Sequence, residues 1–530
     1  MPFKSKSKSV PRTPLVLAIL DGWGIGPQNK KVNPLLKAKT PYLASVLKQY
    51  PQAELCASGV CVGLPKGQDG NSEAGHLNLG AGRVVEQDAV IISRSIKDGT
   101  FFKNAALLAA VERTHKYKSN LHLMGLLSNY NSGHSSPDHF QALLKFLHQQ
   151  GVKRVYIHFF TDGRDSPKYD ALKFLQEARK QFYGGEIVVS VVGRFYAMDR
   201  KKFWSSTEKT YNLLTQGKGL VATDPEQAIR HAYNRGESDE FISPTVIVDA
   251  KNKPIGRINS YDAVIFFNLR SDRARQMAKP FVQKEFEKLN PQAFKRKKIL
   301  KHLRFVAMTD FGPDLGGIIT AYPSVDIKNS LPVVLKNLRQ LYISETEKYA
   351  HVTYFFNGGY ANPVAGENRI AVPSPRVSLY DQVPGMSANK TTALVVKHLK
   401  QGNYDFITLN YPNPDMIAHT GNFAACVKAM EIIDAALAKI GQAIKQKQGS
   451  FFITADHGNV EELINAKTGE INTDHSAFSV PAVLVHHDLK GKKFSRRKGI
   501  LADVAPTILD WLKITKPKEM SGMSLFRRKS

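Results

Sequence analysis

One serine in this chain lies in a segment suited to attack on phosphorus. The segment reads Gly70-Asn71-Ser72-Glu73-Ala74-Gly75-His76, and its glycines, with Gly67 before them, allow tight turns and close approach to a ligand. The Ser-Glu-Ala run can begin a helix, whose free N–H groups would hold a phosphate. Because a serine hydroxyl is a weak nucleophile without a base or metal beside it, Ser72 could equally be a helix cap in a glycine-rich turn.

Aspartates follow two apolar runs at opposite ends of the sequence. Asp21 comes directly after Leu15–Leu20, which we interpret as a buried strand of a parallel sheet. Asp456 and His457 follow a similar run at 449–455. Open α/β sheets bind their ligands at the carboxyl ends of such strands. An aspartate there is more often a turn former, so neither pattern alone predicts a site.

Two further motifs contain histidine. Asp415 and His419 follow a strand predicted at 404–410 and are four residues apart, so they would share one face of a helical turn. His475 lies in a polar loop. Carboxylates with imidazoles and no thiolates favour two divalent ions such as Mn²⁺ or Zn²⁺. Two such ions about 4 Å apart can bind both the attacking and the leaving oxygen of a phosphoryl transfer.

The middle of the chain places arginines after predicted strands. Strands are predicted at 120–126, 155–160, 186–192 and 263–267, with a helix over 169–182. Arginine-containing segments at 161–165, 193–200 and 268–273 follow three of these strands. Guanidinium groups bind carboxylate and phosphate oxygens two at a time. Any one of these arginines could be an ordinary solvated residue.

Together these motifs carry a resemblance to a known family. Asp21, the Gly-Asn-Ser-Glu-x-Gly-His segment, Asn413-Pro414-Asp415 with His419, Thr454–Asn459 and His475 resemble, in order, cofactor-independent phosphoglycerate mutase. That family belongs to the alkaline-phosphatase superfamily, and the resemblance spans about residues 15–525. It implies interconversion of 3-phosphoglycerate and 2-phosphoglycerate through a phosphoserine on Ser72, without bisphosphoglycerate.

The resemblance also implies a role for each motif residue. One divalent ion, most simply Mn²⁺ but also Zn²⁺, Co²⁺ or Mg²⁺, would be held by Asp415, His419 and His475. The other would be held by Asp21, Ser72, Asp456 and His457. Lys348 would neutralise phosphate charge, and Asp165 would move the glycerate hydroxyl proton. The implied substrate-binding residues are His134, Arg164, Asp165, Arg194, Arg200, Arg270, Arg273 and Lys348.

One segment departs from the family pattern. The family reads roughly Ser-Asp-Gly-Gly-Val-His-Ser-His, whereas residues 128–136 here read Ser-Asn-Tyr-Asn-Ser-Gly-His-Ser-Ser. The segment has an extra residue and lacks the second histidine. His134 still aligns, but its substrate contact is less secure than that of the arginines.

The order of the motifs predicts the domain organisation. We expect an α/β protein with an alkaline-phosphatase-like metal-binding domain at 13–88 and 322–526. An inserted α/β transferase domain would occupy 89–321, with hinges near Asp88 and Tyr322. Residues 1–12 would form a basic, disordered tail. The 530 residues contain no apolar run long enough to span a membrane. Residues 1–13 are rich in Lys, Ser and Pro, so we expect no secretory signal there. The three cysteines suggest no disulfide framework, so the cytoplasm is the expected compartment.

The net charge of +28 is not explained by the motifs. It could steer an anionic substrate or permit loose contact with RNA or a membrane surface. Solvated basic faces are the simplest interpretation of runs such as 4–12, 295–298, 490–498 and 527–529.

Two alternative functions stay open at this point. One is a metal-dependent phosphatase or a phosphopentomutase-like enzyme, and the other is a basic RNA- or surface-binding protein with an inert enzyme scaffold. The expected partner is a small-molecule substrate, with no specific nucleic acid and no membrane, and the resemblance implies a monomer.

Overall fold

The computed structural model of the protein describes residues 13–130, 132–312, 314–324, 327–494 and 497–525. The predicted tail at 1–12 and the basic run at 527–529 lie outside the described residues. The chain divides into two compact units, one formed by the residues up to 87 and from 326 onward, the other by residues 88–325. Each unit is built on one eight-stranded sheet. The functions assigned to the two predicted domains stay predictions.

The strands are numbered along the chain. They are β1 (Leu15–Leu20), β2 (Gln52–Cys56), β3 (Leu121–Leu127), β4 (Val155–Thr161), β5 (Glu186–Gly193), β6 (Leu220–Ala222), β7 (Thr245–Ile247), β8 (Ala263–Phe266), β9 (Arg304–Thr309), β10 (Ile318–Tyr322), β11 (Gln340–Glu345), β12 (Asn368–Val372), β13 (Phe406–Tyr411), β14 (Ser450–Thr454), β15 (Val480–Val485) and β16 (Lys498–Ile500).

The α-helices are numbered in the same way. They are α1 (Pro41–Gln49), α2 (Ser72–Ala81), α3 (Asp88–Asp98), α4 (Ala105–Tyr117), α5 (Pro137–Gln149), α6 (Ala171–Arg179), α7 (Arg194–Ala197), α8 (Trp204–Gln216), α9 (Pro225–Asn234), α10 (Ser271–Val282), α11 (Phe286–Leu289), α12 (Leu331–Val334), α13 (Ala388–Gln401), α14 (Asn413–Ala418), α15 (Phe423–Gln446) and α16 (Val504–Trp511). Within the described ranges, no helix has both the length and the apolar character needed to cross a bilayer.

The sheet of the first unit has the order β12-β11-β13-β1-β14-β15-β2-β16. β1 lies at its centre, parallel to both β13 and β14, so that Leu15 pairs with Phe406 on one side and Ser450 on the other. All six residues of β1 are buried, which explains its unbroken apolar sequence. This register brings the carboxyl ends of β1, β13 and β14 to one edge of the sheet.

The sheet of the second unit has the order β10-β9-β8-β3-β4-β5-β7-β6. β3 is parallel to β4 and β8, and both faces of the sheet are covered. Leu123 belongs to one buried apolar cluster and its neighbour Met124 to another, as expected when successive side chains point to opposite faces. The mixed α/β architecture predicted from the sequence is therefore confirmed, with strand limits shifted by about one residue.

One predicted helix is shorter than expected. The helix predicted over 169–182 is α6, which begins at Ala171 and ends at Arg179. Lys180 is its C-cap, and the chain turns out of helical geometry before the left-handed Gly184. The apolar periodicity continued beyond the helix because Phe182 packs against the same core from the turn.

The cysteines correct one expectation. Cys56 and Cys61 form a disulfide, with Cα atoms 5.9 Å apart, whereas Cys426 is free and buried. The two bonded residues lie at the end of β2 and in the turn that follows, five positions apart, and this brings their Cα atoms within bridging distance. A count of three cysteines in a long chain carried no information about this local pair.

Part of the basic run at 295–298 is structural rather than solvated. Arg296 is buried and donates hydrogen bonds to the carbonyl oxygens of Pro280 and Gln283, at 3.0 and 2.9 Å. Lys298 donates to the carbonyl oxygen of Thr215 at 2.9 Å. These two cations bind the carbonyl oxygens at the carboxyl ends of α10 and α8, so they do not belong to a free basic face.

Candidate active site

The candidate site of the first unit lies where its central strands end. Asp21 follows β1, Asp456 follows β14, and α14, which contains Asp415, begins shortly after β13. All three carboxylates are buried. Gly22 permits this packing, because its φ of +76° is left-handed and a Cβ there would lie 2.9 Å from the Cα of Asp415.

Ser72 is the first residue of α2. Asn71, not Ser72, is the N-cap, since its side chain accepts a hydrogen bond from the backbone N–H of Ala74 at 2.9 Å. The alternative in which Ser72 caps the helix is therefore wrong. Its hydroxyl oxygen lies 2.9 Å from His457 Nε2 and 3.2 Å from Asp21 Oδ1. The hydroxyl is thus held between a carboxylate and an imidazole.

The remaining motif residues form two adjoining groups around these carboxylates. In the first group, His419 Nε2 and His475 Nε2 lie 3.3 and 3.2 Å from Asp415 Oδ1. In the second, His457 Nε2 lies 3.4 Å from Asp21 Oδ1 and 3.6 Å from Asp456 Oδ2. The structure therefore brings together all seven residues that the resemblance implied as metal ligands.

The donor set of these groups fits divalent cations. Ligand atoms of Asp415, His419 and His475 lie within 4.8 Å of one another, as do those of Asp21, Asp415 and His457. Asp456 Oδ2 is buried and receives no hydrogen bond from the described residues, although the His76 ring lies 3.1 Å away. Such carboxylate and imidazole sets, without thiolate, are typical of Mn²⁺ and Zn²⁺ sites.

Lys348 places an ammonium group among these carboxylates. Its Nζ lies 2.7 Å from Asp21 Oδ1, 2.8 Å from Asp415 Oδ2 and 2.6 Å from Ser72 Oγ. Burial alone would lower the pKa of Lys348, but the charges of Asp21 and Asp415 outweigh it and raise this pKa above its ordinary value. Burial would likewise raise the pKa of Asp21, and the charge of Lys348 lowers it instead.

Sequence reasoning missed the residues that orient these ligands. Asn410, at the end of β13, donates to Asp21 Oδ2 at 2.7 Å and lies 3.1 Å from His76 Nε2. Asn459 donates to Asp415 Oδ1 at 2.8 Å. Both asparagines and His76 stood inside or beside the quoted motifs. Their positions could have signalled the role, but residue type alone does not separate an orienting amide from a turn former.

The second unit places its predicted arginines after the carboxyl ends of β4, β5 and β8. Arg194 is buried and pairs with Asp162 Oδ1 at 2.5 Å and Asp165 Oδ2 at 3.0 Å. Asp162 also accepts hydrogen bonds from the backbone N–H groups of Arg164 and Asp165, at 3.2 and 3.1 Å. Asp162 lay in a quoted segment without a role, and it is the residue that fixes this loop.

The other arginines surround Arg194. Burial and the positive charges of Arg194, Arg200 and Arg164 lower the pKa of Arg273 to about 10. Arg200 is half exposed and pairs with Asp272 Oδ2 at 2.6 Å. Several guanidinium groups therefore share one region, and this arrangement stabilises a bound anion.

His134 and Asp165 adjoin the same arginines. His134 is buried, and burial together with the charges of Arg270 and Arg194 lowers its pKa to about 3. Burial would raise the pKa of Asp165, but the Arg194 charge lowers it, so this carboxyl is ionised. Ser132 Oγ donates to Asp165 Oδ2 at 2.9 Å. Asn131, within the unusual segment, lies outside the described residues.

Comparisons with known proteins give one consistent picture. Residues 13–516 match the Metalloenzyme superfamily. A protein of Clostridium novyi (strain NT), named 2,3-bisphosphoglycerate-independent phosphoglycerate mutase, is 45% identical over 97% of this chain and 100% of its own length. A protein of Methanosarcina barkeri (strain Fusaro / DSM 804), named 2,3-bisphosphoglycerate-independent phosphoglycerate mutase 1, is 46% identical over 97% of this chain and 98% of its own length. A crystal structure of Leishmania mexicana phosphoglycerate mutase at low cobalt concentration has a TM-score of 0.77 and 29% identity, covering 97% of this chain and 98% of that one.

Proposed function

The chain belongs to the family of 2,3-bisphosphoglycerate-independent phosphoglycerate mutases within the metalloenzyme superfamily, and we propose that Ser72 is its phosphoryl acceptor. Its activity is the interconversion of 3-phosphoglycerate and 2-phosphoglycerate without bisphosphoglycerate. The observation that supports the role of Ser72 is the set of charged groups around its hydroxyl. His457, Asp21 and Lys348 all lie within 3.2 Å of that oxygen.

In the proposed reaction Ser72 gives up its hydroxyl proton to solvent, and its oxygen forms a bond to phosphorus as the ester bond to glycerate breaks. The departing glycerate oxygen takes up a proton. The phosphoserine later returns the group to the other hydroxyl of glycerate. Ser72 begins α2, so the free N–H groups of the first turn favour the negative charge of the phosphoryl group. Lys348 contributes a permanent positive charge to the same oxygens.

Two divalent ions, which we propose to be Mn²⁺, complete this site. Asp415, His419 and His475 would hold one ion, and Asp21, Asp456, His457 and Ser72 the other. When bound, such ions neutralise phosphoryl oxygens and make a serine hydroxyl more acidic.

The second unit supplies the groups suited to glycerate. We assign the substrate carboxylate and phosphate to Arg164, Arg194, Arg200, Arg270 and Arg273, with His134 beside them. Asp165 is ionised and held by Arg194 and Ser132, so it can accept the proton of the attacking glycerate hydroxyl and return it to the other. We further propose that the protein acts as a cytoplasmic monomer on small-molecule substrates alone.

The test combines Ser72→Ala with metal add-back. Mutase activity is measured without bisphosphoglycerate after chelation and after adding Mn²⁺, Zn²⁺, Co²⁺ or Mg²⁺ separately. We expect wild-type activity to return with Mn²⁺ and to stay at least about 10⁴-fold lower in Ser72→Ala. Mass spectrometry should find phosphate on Ser72 of the wild type. Ser330→Ala, a buried serine of the same unit that bonds the carbonyl of Asn357, is the matched control. Normal interconversion by Ser72→Ala would overturn the proposal.

A further inference from the structure

Glu461 is a buried carboxylate in contact with the loops that follow three of the proposed metal ligands, Asp21, His457 and His475. Its Oε2 accepts hydrogen bonds from the backbone N–H of Gly24 at 2.9 Å and of Asn459 at 2.8 Å. Its Oε1 accepts a hydrogen bond from the Ser476 hydroxyl. Gly24 follows Asp21 by three residues, Asn459 follows His457 by two, and Ser476 directly follows His475.

Glu461 is linked to a fourth proposed ligand, Asp415, through its partner Asn459. Asn459 has its backbone N–H on Glu461 and its side-chain amide on Asp415 Oδ1, at 2.8 Å. Glu461 therefore contacts, directly or through one residue, every segment that carries a proposed aspartate or histidine ligand. Neither Glu461 nor Asn459 belongs to the proposed ligand set.

Three glycines leave room for this side chain. A Cβ at Gly24 would overlap the Glu461 carboxyl group, and one at Gly26 would overlap its Cβ and Cγ. A Cβ at Gly458 would overlap the same carboxyl group. None of the three has a φ in the left-handed region. Glycine is required at these positions for space, so the loops are folded closely around Glu461.

Backbone hydrogen bonds also link these loops. Val460 donates to the carbonyl oxygen of Gly22 at 3.1 Å, and Ser476 donates to that of Gly458 at 3.0 Å. The loops would therefore stay associated without the carboxylate. What Glu461 adds is one common acceptor that fixes their separation.

We infer that Glu461 is a positioning residue for the metal centre, holding the ligand-bearing loops at the spacing that two divalent ions need. This inference rests on the metal centre of the proposed function. Groups that orient metal ligands in this way are typically worth 10–100-fold in metal affinity. The loss should therefore be seen in the binding of the ion itself, before any chemistry.

The test measures Mn²⁺ binding by titration calorimetry and by electron paramagnetic resonance, with no substrate present. We expect Glu461→Ala to weaken Mn²⁺ binding by about 10–100-fold and to lower kcat at subsaturating Mn²⁺. Glu461→Gln should restore most of the affinity, because its amide oxygen can accept from Gly24 and Asn459 while its NH₂ group donates to Ser476. A dissociation constant for Glu461→Ala within twofold of wild type would overturn the inference.

Glu367→Ala is the matched control. Glu367 is also a buried glutamate of the first unit, and it accepts hydrogen bonds from the Ala365 backbone and the Asn357 side chain, away from the metal-type motifs. A merely structural loss should lower the thermal midpoint of this variant and leave its Mn²⁺ affinity unchanged. Equal losses of Mn²⁺ affinity in Glu367→Ala and Glu461→Ala would also overturn the inference.

A second variant keeps the inference testable if Glu461→Ala does not fold. Gly24→Ala should weaken Mn²⁺ binding, because its new Cβ displaces the Glu461 carboxyl group. A Mn²⁺ dissociation constant of Gly24→Ala within twofold of wild type would overturn the inference. Because the measurements of Mn²⁺ binding need no turnover, they stay separate from the Ser72→Ala assay, whose failure would concern the proposed function alone.

Discussion

The candidate metal centre of the first unit and the arginine cluster of the second unit concentrate charges of opposite sign. The metal centre consists of Asp21, Ser72, Asp415, His419, Asp456, His457 and His475, and the arginine cluster of Arg164, Arg194, Arg200, Arg270 and Arg273. In the first, burial would raise the pKa of Asp415, yet the charges of Lys348 and His475 hold it well below its ordinary value. In the second, burial and neighbouring guanidinium groups lower the pKa of Arg273 to about 10. The first site therefore gains stability from added cations, and the second from added anions.

The histidines of the two sites differ in the same way. Burial would lower the pKa of His457, but the charge of Asp456 and the hydrogen bond to Asp21 raise it to about 10. His134 is also buried, and the charges of Arg270 and Arg194 add to the effect of burial. One residue type thus serves opposite purposes, and the charges facing the ring decide which.

Asp456→Asn should impair the candidate metal centre of the first unit and leave the arginine cluster of the second unit unchanged. The change keeps the size of the side chain and removes the charge of a buried proposed ligand. We expect kcat to fall on the order of 10³-fold, since loss of one preorganised electrostatic group has this size of effect. Elemental analysis should find fewer bound ions per chain. The control is Asp434→Asn, a buried carboxylate of the same unit that accepts from the backbone of Tyr42 and Leu43. If Asp456→Asn kept its full metal content, the assignment of this residue would be wrong.

Arg194→Lys should impair the arginine cluster of the second unit and leave the candidate metal centre of the first unit unchanged. Both aspartates, Asp162 and Asp165, are bonded by the single Nη1 atom of Arg194. Lysine keeps the charge but lacks the other guanidinium N–H donors that we assign to the substrate. We expect kcat/KM to fall about 10²-fold through misplacement of the substrate, with metal content unchanged. Arg296→Lys alters an equally buried guanidinium of this unit that bonds carbonyl oxygens, so it should lower stability and leave KM alone. A loss of bound metal in Arg194→Lys would contradict the separation of the two sites.

Arg200→Lys should give a smaller effect in the same cluster. The Arg200 side chain is 51% exposed and forms an ion pair with Asp272. Exposed pairs contribute little, so we expect KM to rise less than about fivefold, and the rise should shrink further at high salt. Steady-state kinetics at two ionic strengths measure this. A loss of kcat/KM as large as that of Arg194→Lys would show that the exposure of an arginine does not determine the size of its effect.

The two sites were not equally predictable from the sequence. The strand preceding Asp21 and the helical turn joining Asp415 to His419 follow from local patterns, because an unbroken apolar run and an i, i+4 spacing each have one simple structural meaning. The convergence of these motifs depends on strand order, which places β1 between β13 and β14. No local pattern specifies that order, and only the family resemblance anticipated it.

The supporting residues were harder to predict. Glu461 stands in a mixed polar and apolar sequence with no pattern of its own. Its role is seen only in the hydrogen bonds that Gly24 and Ser476 donate to it from distant parts of the chain. The disulfide between Cys56 and Cys61 was missed because composition averages over the whole chain. Long-range contacts of single side chains leave no periodic signal, and this limits what sequence reasoning can recover.

A buried histidine pair in the second unit extends the comparison to stability. His122 Nε2 lies 3.2 Å from Asp262 Oδ2, and its Nδ1 lies 3.1 Å from His158 Nε2. His158 Nδ1 lies 2.7 Å from Ser190 Oγ. Burial lowers the pKa of His122 despite Asp262, and burial with the charge of His122 lowers the pKa of His158 well below 6.5. The pKa values of these two rings are lowered, whereas that of His457 is raised, so these two rings stay neutral in the folded protein.

Acid should therefore weaken the second unit through these two rings. Above pH 6.5 the two imidazole rings are neutral in both the folded and the unfolded protein, so their contribution to the free energy of unfolding is constant. Below pH 6.5 the rings of the unfolded chain bind protons, whereas the buried rings of the folded unit do not. The opening free energy of amides in β3 and β4 should fall by up to about 1.4 kcal/mol per pH unit for each histidine, measured by hydrogen exchange corrected for its intrinsic pH dependence. His122→Gln should flatten this slope, and the exposed His115→Gln should not. An unchanged slope in His122→Gln would place the acid sensitivity in other groups and remove this contrast with the histidines of the metal centre.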